Sequence, residues 1–256
     1  MDLKLNNRFF IVCGATSGFG LAITKQLISE NAGVTAVARG KEKLDKLAAQ
    51  FPGIDIFEGD ITLSETIIHL KNTLRNRVPD GILVNAGGPP AMKFEETTIA
   101  DWDGAYHNLL RWKVEIVQAF LPSMLTRGYG RFLFIESAAV KQPLENLVLS
   151  TSLRLSVLGM VKTLSQEFPD KGVTFNTLAP GYHYTTAVER LIRKKAETEK
   201  ISFEDAKSMM EQALPIKKTG NVDDFASLAV WLLSPLSSYV NGQVFAVDGG
   251  VIKSTL

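Results

Sequence analysis

Short apolar runs alternate with amphipathic stretches along almost the whole chain. Runs bounded by polar or glycine-containing segments predict strands, and apolar residues at three- and four-residue spacing predict helices. The predicted strands are 9–13, 34–38, 54–57, 82–84, 132–135, 173–178 and 244–247, and the predicted helices are 19–29, 41–50, 64–75, 102–126, 152–168 and 222–233. This alternation indicates an α/β protein with one parallel sheet and helices on both faces.

Nothing in the sequence divides the chain, since it has no internal repeat and no linker rich in Pro, Gly or Ser. We therefore expect a single domain over residues 1–256. Only the charged, helix-prone segment 185–219 breaks the alternation, and we call it the lid segment. It is either an exposed helical pair or a lid, because ligands of open α/β sheets bind beyond the carboxyl ends of the strands. We favour the lid, because the strand that ends in Ala179-Pro180-Gly181 leads directly into it.

The first predicted strand ends in a glycine-rich turn that leads at once into a helix. Glycine lets a ligand approach the backbone closely, and free N–H groups at a helix start attract phosphate. The same turn is also used for shape alone. The candidate cofactor-binding residues here are Gly14, Thr16, Ser17, Gly18, Phe19 and Gly20.

The residues that follow the next strands are expected to face the same ligand. Arg39 stands where a cofactor with free ribose hydroxyls would meet an acid, and a guanidinium there accommodates a 2′-phosphate. Unless Arg39 is only a surface residue, NADP(H) is favoured over NAD(H). Asp60 is either an adenine ligand, with Ile61 packed on the ring, or a turn or cap residue.

A wall of small residues follows the fourth strand and allows a ribose and nicotinamide to approach the backbone. Its candidate cofactor-binding residues are Asn85, Ala86 and Gly87.

The composition excludes several classes of partner. A net charge of +1 gives no reason to expect nucleic acid, and no apolar stretch is long enough to span a bilayer. Cys13 is the only cysteine, so an intramolecular disulfide is impossible and a reducing cytoplasm fits best. A chain of this length can bury a core that needs no structural metal. We read Cys13 as a small buried residue rather than a reactive thiol.

Taken together and in order, these motifs resemble the short-chain dehydrogenases/reductases over nearly the whole chain. The family's TGxxxGxG corresponds to residues 13–20 with Cys13 in place of Thr, its NNAG to 84–87, its strand-end serine to Ser137, and its PG turn to Pro180-Gly181. The stretch 241–250 is similar to the tail of 3-oxoacyl-acyl-carrier-protein reductases. The resemblance implies a Rossmann-type, doubly wound sheet of about seven strands. It also implies a nicotinamide cofactor contacted by Pro180 and Gly181, and a homo-oligomer, either tetramer or dimer.

The family's catalytic residues are Asn, Ser, Tyr and Lys, with Tyr and Lys four residues apart on one helix face. Counted from Ser137, the Tyr position holds Ser150 and the Lys position holds Arg154. The Asn position holds Leu109, one residue after Asn108. A serine hydroxyl is a far weaker acid than a phenol, and a guanidinium keeps its proton.

Two further interpretations stay open at these positions. Ser150 is either catalytic or, as we favour, a helix N-cap. Arg154 either contacts the cofactor ribose or forms a structural ion pair.

Ser137, Ser150, Arg154 and Tyr182 are therefore the candidate catalytic residues. Tyr182 is ranked first as a substitute proton donor because it lies nearest the PG turn. The other candidate donors are Tyr106, His107, His183 and Tyr184, and each of the five is alternatively a packing or surface residue.

The leading hypothesis is an NADP(H)-dependent oxidoreductase, similar to 3-oxoacyl-acyl-carrier-protein reductases, that acts on a small carbonyl or alcohol or on an acyl thioester. The alternative is a nucleotide-binding protein without turnover, acting as a sensor or subunit. A purely structural assembly role is the third hypothesis.

Overall fold

The computed structural model describes residues 1–255. Within them a parallel sheet of seven strands has the order β3-β2-β1-β4-β5-β6-β7. The strands are β1 (Phe9–Cys13), β2 (Gly33–Ala38), β3 (Asp55–Glu58), β4 (Gly81–Val84), β5 (Gly130–Ile135), β6 (Val173–Pro180) and β7 (Val244–Val247). The α-helices are α1 (Gly18–Ser29), α2 (Lys41–Gln50), α3 (Ser64–Leu74), α4 (Ile99–Tyr106), α5 (Trp112–Arg127), α6 (Val148–Glu167), α7 (Thr186–Glu199), α8 (Phe203–Ala213) and α9 (Val222–Leu233).

The central strand β1 explains why the strands are such continuous apolar runs. All five of its residues are buried, because helices cover both faces of the sheet. Its side chains alternate between two cores: Phe10 and Val12 join the core beneath α1, α2 and α9, and Phe9, Ile11 and Cys13 join the core beneath α3, α5 and α6. The sheet is thus doubly wound, as the alternation of elements predicts.

The strand order reverses direction between β1 and β4, which pair side by side. In open α/β sheets a ligand crevice forms at such a point, beyond the carboxyl ends of the strands. Here the side chain of Asn85, just after β4, donates to the carbonyl oxygen of Cys13, the last residue of β1, at 3.3 Å. The fold therefore brings the two predicted loops together.

Most predicted elements agree with the structure to within a few residues, but the predicted helix 102–126 is wrong as a single element. It is divided into α4, a π-helical turn at His107–Arg111, and α5. It also begins earlier, because Thr98 caps α4: its hydroxyl accepts from the backbone N–H of Asp101, whose carboxylate accepts from Thr98.

Helix α6 begins at Val148 rather than at the predicted residue 152, with Leu147 at its N-cap. Ser150 therefore lies inside the first turn of α6, and its interpretation as an N-cap is wrong.

The lid segment forms α7 and α8. Thr185 caps α7 by accepting from the backbone N–H of Val188 at 3.3 Å. The two helices pack on each other through Val188, Ile192 and Ala206, apart from the two main cores.

Within residues 1–255, no helix combines the length and hydropathy that crossing a membrane requires. The same residues contain no group of three or more His, Cys, Asp or Glu side chains arranged to hold a metal.

Candidate functional site

A cleft of about 850 Å³ lies at the carboxyl ends of the strands. It is lined by loops that follow β1 to β6 and by the first turn of α7. The predicted residues that it brings together are Gly14, Thr16, Ser17, Gly18, Phe19, Arg39, Asp60, Ile61, Asn85, Ala86, Gly87, Arg154 and Pro180. Predicted residues outside this lining are Gly20, Ser137, Ser150, Gly181 and Tyr182.

The glycine turn is shaped for a close backbone approach. Gly14 and Gly18 have φ of +70° and +51°, a region that favours glycine. Ser17 precedes α1 without making a side-chain capping hydrogen bond, so the first N–H groups of α1 remain for an anion. Cys13, immediately before the turn, is fully buried, and burial raises the pKa of its thiol to about 12, as expected for an inert residue.

Two predicted cofactor residues contact each other across the cleft wall. Arg39 Nη1 lies 3.6 Å from Asp60 Oδ2, and the Arg39 side chain is 80% exposed. Asp60 Oδ1 also accepts from the backbone N–H of Thr62 at 3.1 Å and from its hydroxyl at 2.8 Å, which is the geometry of a turn residue. Lys43 of α2 lines the same part of the cleft and was not predicted.

Arg154 belongs to a buried charge cluster with two residues that the sequence analysis missed. Its Nη1 donates to Glu136 Oε2 at 2.8 Å, and Lys113 Nζ donates to Glu136 Oε1 at 2.5 Å. The Lys113, Glu136 and Arg154 side chains are 1%, 0% and 8% exposed. We call these three residues the charge cluster; Arg154 and Glu136 are in the cleft lining.

Burial sets the protonation of Lys113. Desolvation, with a smaller contribution from the adjacent Arg154, lowers the pKa of its ammonium to about 8 against the opposing effect of Glu136. The cluster therefore contains an amine that titrates close to neutral pH.

Arg154 also contacts the residue at the expected tyrosine position. Its Nε donates to the Ser150 hydroxyl at 3.1 Å. Nη2 has no hydrogen-bond partner within residues 1–255, and a Cβ added at Gly88 would lie 3.1 Å from it. The guanidinium of Arg154 is thus held through Nε and Nη1, and Nη2 is left without a partner at the cleft wall within the same residues.

The π-helical turn explains why Asn108 reaches the cleft although the family's Asn position holds Leu109. Leu109, at the expected position, is 1% exposed and belongs to the interior, whereas Asn108 lines the cleft. A π-helical turn accommodates one more residue than an α-helical turn, so counting along a regular helix shifts the facing residue.

Ser137 and Gly181 lie outside the cleft lining and shape the turns that follow β5 and β6. The Ser137 hydroxyl accepts from the backbone N–H of Ala139 at 3.2 Å and caps a short 3₁₀ turn. A Cβ added at Gly181 would lie 2.7 Å from the Cα of Asp248, so this turn needs a residue without a side chain.

The assignment of Tyr182 as a donor near the cleft needs correction. Its ring packs with the lid-segment cluster of Val188, Ile192 and Ala206 instead of entering the cleft lining. Its neighbour His183 is buried between Phe19 and Phe225, with ring centroids at 5.1 and 5.2 Å. Burial lowers the pKa of His183.

The remaining candidate donors are also placed outside the lining. Tyr106 and Tyr184 are each 44% exposed, and His107 lies in the π-helical turn, where Nη1 of Arg111 is 3.2 Å from its Nδ1. Tyrosine is absent from the cleft lining of the described residues.

Comparison with known proteins agrees with this geometry. A family profile described as enoyl-(acyl carrier protein) reductase matches residues 14–252. Dehydrogenase/reductase SDR family member 4 of Sus scrofa is 29% identical over 96% of this chain and 88% of that protein. The 3-oxoacyl-(acyl-carrier-protein) reductase FabG of Thermotoga maritima is 25% identical over 98% of this chain and 100% of that protein.

A solved structure extends the likeness to three dimensions. A variant of actinorhodin polyketide ketoreductase with NADPH has a TM-score of 0.89 and 26% identity, over 95% of this chain and 97% of that one. With the family profile covering nearly the whole length, and a doubly wound sheet that ends in this cleft, the chain belongs to the short-chain dehydrogenase/reductase family of NAD(P)-dependent oxidoreductases.

Proposed function

We propose that the protein is an NADP(H)-dependent oxidoreductase that interconverts a carbonyl and an alcohol in this cleft. The observation that carries the proposal is one continuous cleft with two chemically different ends. At one end lie the glycine turn and the uncapped start of α1, and at the other lies the buried cation Arg154. A dinucleotide has phosphates for the first end, and its nicotinamide would supply a hydride near the second.

The preference for NADP(H) is supported by the charge beyond β2. Arg39 and Lys43 both line this part of the cleft. The nearby acid Glu42 is paired with Lys46 at 2.6 Å, so the acid paired with Arg39 is Asp60, at 3.6 Å. When the cofactor binds, we expect the pair of Arg39 and Asp60 to separate, so that Arg39 contacts the 2′-phosphate and Asp60 contacts the adenosine.

The residues of the chain have separate roles in this proposal. The N–H groups of α1 and the turn at Gly14 to Phe19 bind the pyrophosphate. Asn85, Ala86 and Gly87 form the wall along the ribose and nicotinamide, and Pro180 closes the opposite side. Ser137 is a proposed catalytic hydroxyl, and Ser150, which accepts from Nε of Arg154 at 3.1 Å, is proposed to act through that residue.

The lid segment is proposed to cover the bound cofactor. Thr185, Thr186, Ala187 and Arg190, at the start of α7, line the cleft. Closure of α7 and α8 over the site would exclude bulk water during reduction.

The proposed substrate is a small carbonyl compound or a 3-oxoacyl thioester, a class supported by the names of the matched family and of the reductase from Thermotoga maritima. We further propose a single domain over 1–256, a cytoplasmic location and a homo-oligomeric state, tetramer or dimer, on the grounds of family membership.

Fluorescence titration with NADPH and NADH tests the cofactor assignment directly. We expect NADPH to bind, and we expect oxidation of NADPH with at least one member of a panel of acetoacetyl-CoA, fructose and small ketones. Failure of both nucleotides to bind would refute the proposed function.

A second candidate function is nucleotide binding without turnover. It is favoured by the absence of tyrosine from the cleft lining of the described residues, since the phenol normally handles the substrate proton in this family. Binding of NADPH without oxidation across the panel and across pH would assign the protein to this class.

A further inference from the structure

We propose that Arg154 is an oxyanion-binding catalytic residue that stands in place of a proton donor, with Glu136 and Lys113 as the positioning residues that hold it. This inference rests on the proposed carbonyl reduction and specifies how the cleft would stabilise its product. The first observation is the arrangement of donors on one guanidinium. Two of its nitrogens are engaged, Nε by Ser150 and Nη1 by Glu136, whereas Nη2 has no partner within residues 1–255.

The engaged nitrogens fix the direction of the free one. A guanidinium is planar, so the hydrogen bonds of 3.1 Å to Ser150 and 2.8 Å to Glu136 set the plane in which Nη2 lies. The guanidinium of Arg154 lies close to the backbone of Gly88. A Cβ added at Gly88 would lie 3.1 Å from Nη2, so a larger residue there would crowd the guanidinium. A donor fixed in this way needs little reorganisation when charge develops nearby.

Lys113 explains why Glu136 does not cancel the charge of Arg154. Glu136 is shared between two cations, Lys113 at 2.5 Å and Arg154 at 2.8 Å. Two cations and one anion leave the charge cluster with a net positive charge at the cleft wall. Glu136, directly after β5, and Arg154 on α6 are the charged groups that act on Lys113 within residues 1–255, and the Trp112 ring centroid lies 5.8 Å from its Nζ.

The chemistry follows from the fact that arginine keeps its proton. As the carbonyl carbon gains a hydride, the electrons of the C=O π bond move to the oxygen, and Arg154 binds the resulting oxyanion. That oxygen then takes a proton from water, which leaves hydroxide, so that atoms and charge balance. The residue at the family's tyrosine position, Ser150, serves in this scheme to hold Nε of Arg154.

The first test uses the protein without cofactor or substrate. Lys113 Nζ lies 5.8 Å from the centroid of the Trp112 ring, so Trp112 fluorescence should report the protonation of Lys113. In a Trp102→Phe, Trp231→Phe background we expect a change with a midpoint near pH 8, where the pKa of Lys113 lies. Lys113→Met should abolish it, and Lys171→Met, at a lysine exposed by 54%, should not. No transition in this background would overturn the assigned charge of Lys113, and with it this proposal.

The second test separates binding from chemistry, with NADPH and the carbonyl panel as probes. We expect Arg154→Ala to lower kcat about 100-fold while the NADPH Kd stays within about threefold, and Arg154→Lys, which keeps the charge, to recover part of kcat. We expect kcat of the parent protein to fall as the pH rises through about 8, where the cluster loses one positive charge. The variant Lys113→Met, Glu136→Gln should lose this pH dependence without losing NADPH binding.

The alternative outcomes are distinct. A raised NADPH Kd with unchanged kcat in Arg154→Ala would make Arg154 a ribose contact and overturn the oxyanion role, with the proposed function intact. NADPH binding without any turnover in the parent protein would overturn the proposed function and this inference together.

Discussion

A Cβ added at Gly20 would lie 2.1 Å from the carbonyl oxygen of Gly14. The first turn of α1 thus presses against the backbone of the glycine turn that precedes it, at a distance no side chain tolerates. Gly20 is required by the fold itself, whereas Gly14 and Gly18 are required by their positive φ angles. Glycine is therefore required at these three positions for two different physical reasons.

Substitution of Gly20 with Ala should displace the turn and weaken the protein. We expect an overpacking cost of about 1–3 kcal/mol, together with weaker NADPH binding, because the displaced backbone is the proposed phosphate site. Urea unfolding and fluorescence titration measure the two effects. Gly104→Ala in α4 is the matched control, since nothing lies within 4 Å of its added Cβ. Equal unfolding midpoints for the Gly20 variant and the parent would contradict the steric argument.

The charge cluster predicts an unequal response to removal of its members. Glu136→Gln leaves Lys113 and Arg154 buried beside each other without an anion, and we expect a loss of about 3–5 kcal/mol. Lys113→Met leaves Glu136 paired with Arg154 at 2.8 Å, so its cost should be smaller.

The double variant, Lys113→Met with Glu136→Gln, should be more stable than Glu136→Gln alone, because no unpaired lysine remains. A double-mutant cycle from urea unfolding measures this coupling. Additive effects of the two substitutions would mean that the residues do not interact.

Burial of Lys113 also predicts a dependence of stability on pH. Its pKa falls from 10.5 to about 8 in the folded protein, so between these values the unfolded chain binds a proton that the folded chain does not. Stability attributable to Lys113 must therefore rise with pH in this window, by up to about 3 kcal/mol. The measurement is the difference in unfolding free energy between the parent and Lys113→Met at several pH values, which cancels the other titrating groups. A difference that stays flat from pH 8 to 10.5 would contradict the buried ammonium.

The fold was largely predictable because its signals are local. Strands such as Phe9–Cys13 are buried on both faces, so they appear as unbroken apolar runs, and glycine marks the turn after them. The division of helix 102–126 was not predictable in the same way. Its π-helical turn at His107–Arg111 leaves no periodicity that differs clearly from a regular helix over so few residues.

Site residues could be predicted from the sequence only where their position directly after a strand places them at the cleft. Loops after strands line the cleft because the topology brings them there, whereas Tyr182 was assigned by its nearness in sequence and packs against the lid segment instead. Lys113 and Glu136 are 23 residues apart, so no local pattern pairs them. The available signal was a glutamate directly after the apolar run 132–135 and a lysine three and four residues before Ile116 and Val117 on one helix face, because a buried charge requires a partner.

The proposed preference for NADP(H) depends on Arg39, which is 80% exposed and lies 3.6 Å from Asp60. We expect the parent protein to bind NADPH more tightly than NADH, and Arg39→Ala to reduce this ratio by roughly three- to tenfold, about 1 kcal/mol, because exposed charge pairs are screened. Arg75→Ala, at an exposed arginine outside the cleft lining, is the matched control and should leave the ratio unchanged. Fluorescence titration with both nucleotides at low and high salt measures the ratio, which should shrink as salt rises. An equal loss of affinity for NADPH and NADH in Arg39→Ala would place this residue on a part common to both cofactors and not on the 2′-phosphate.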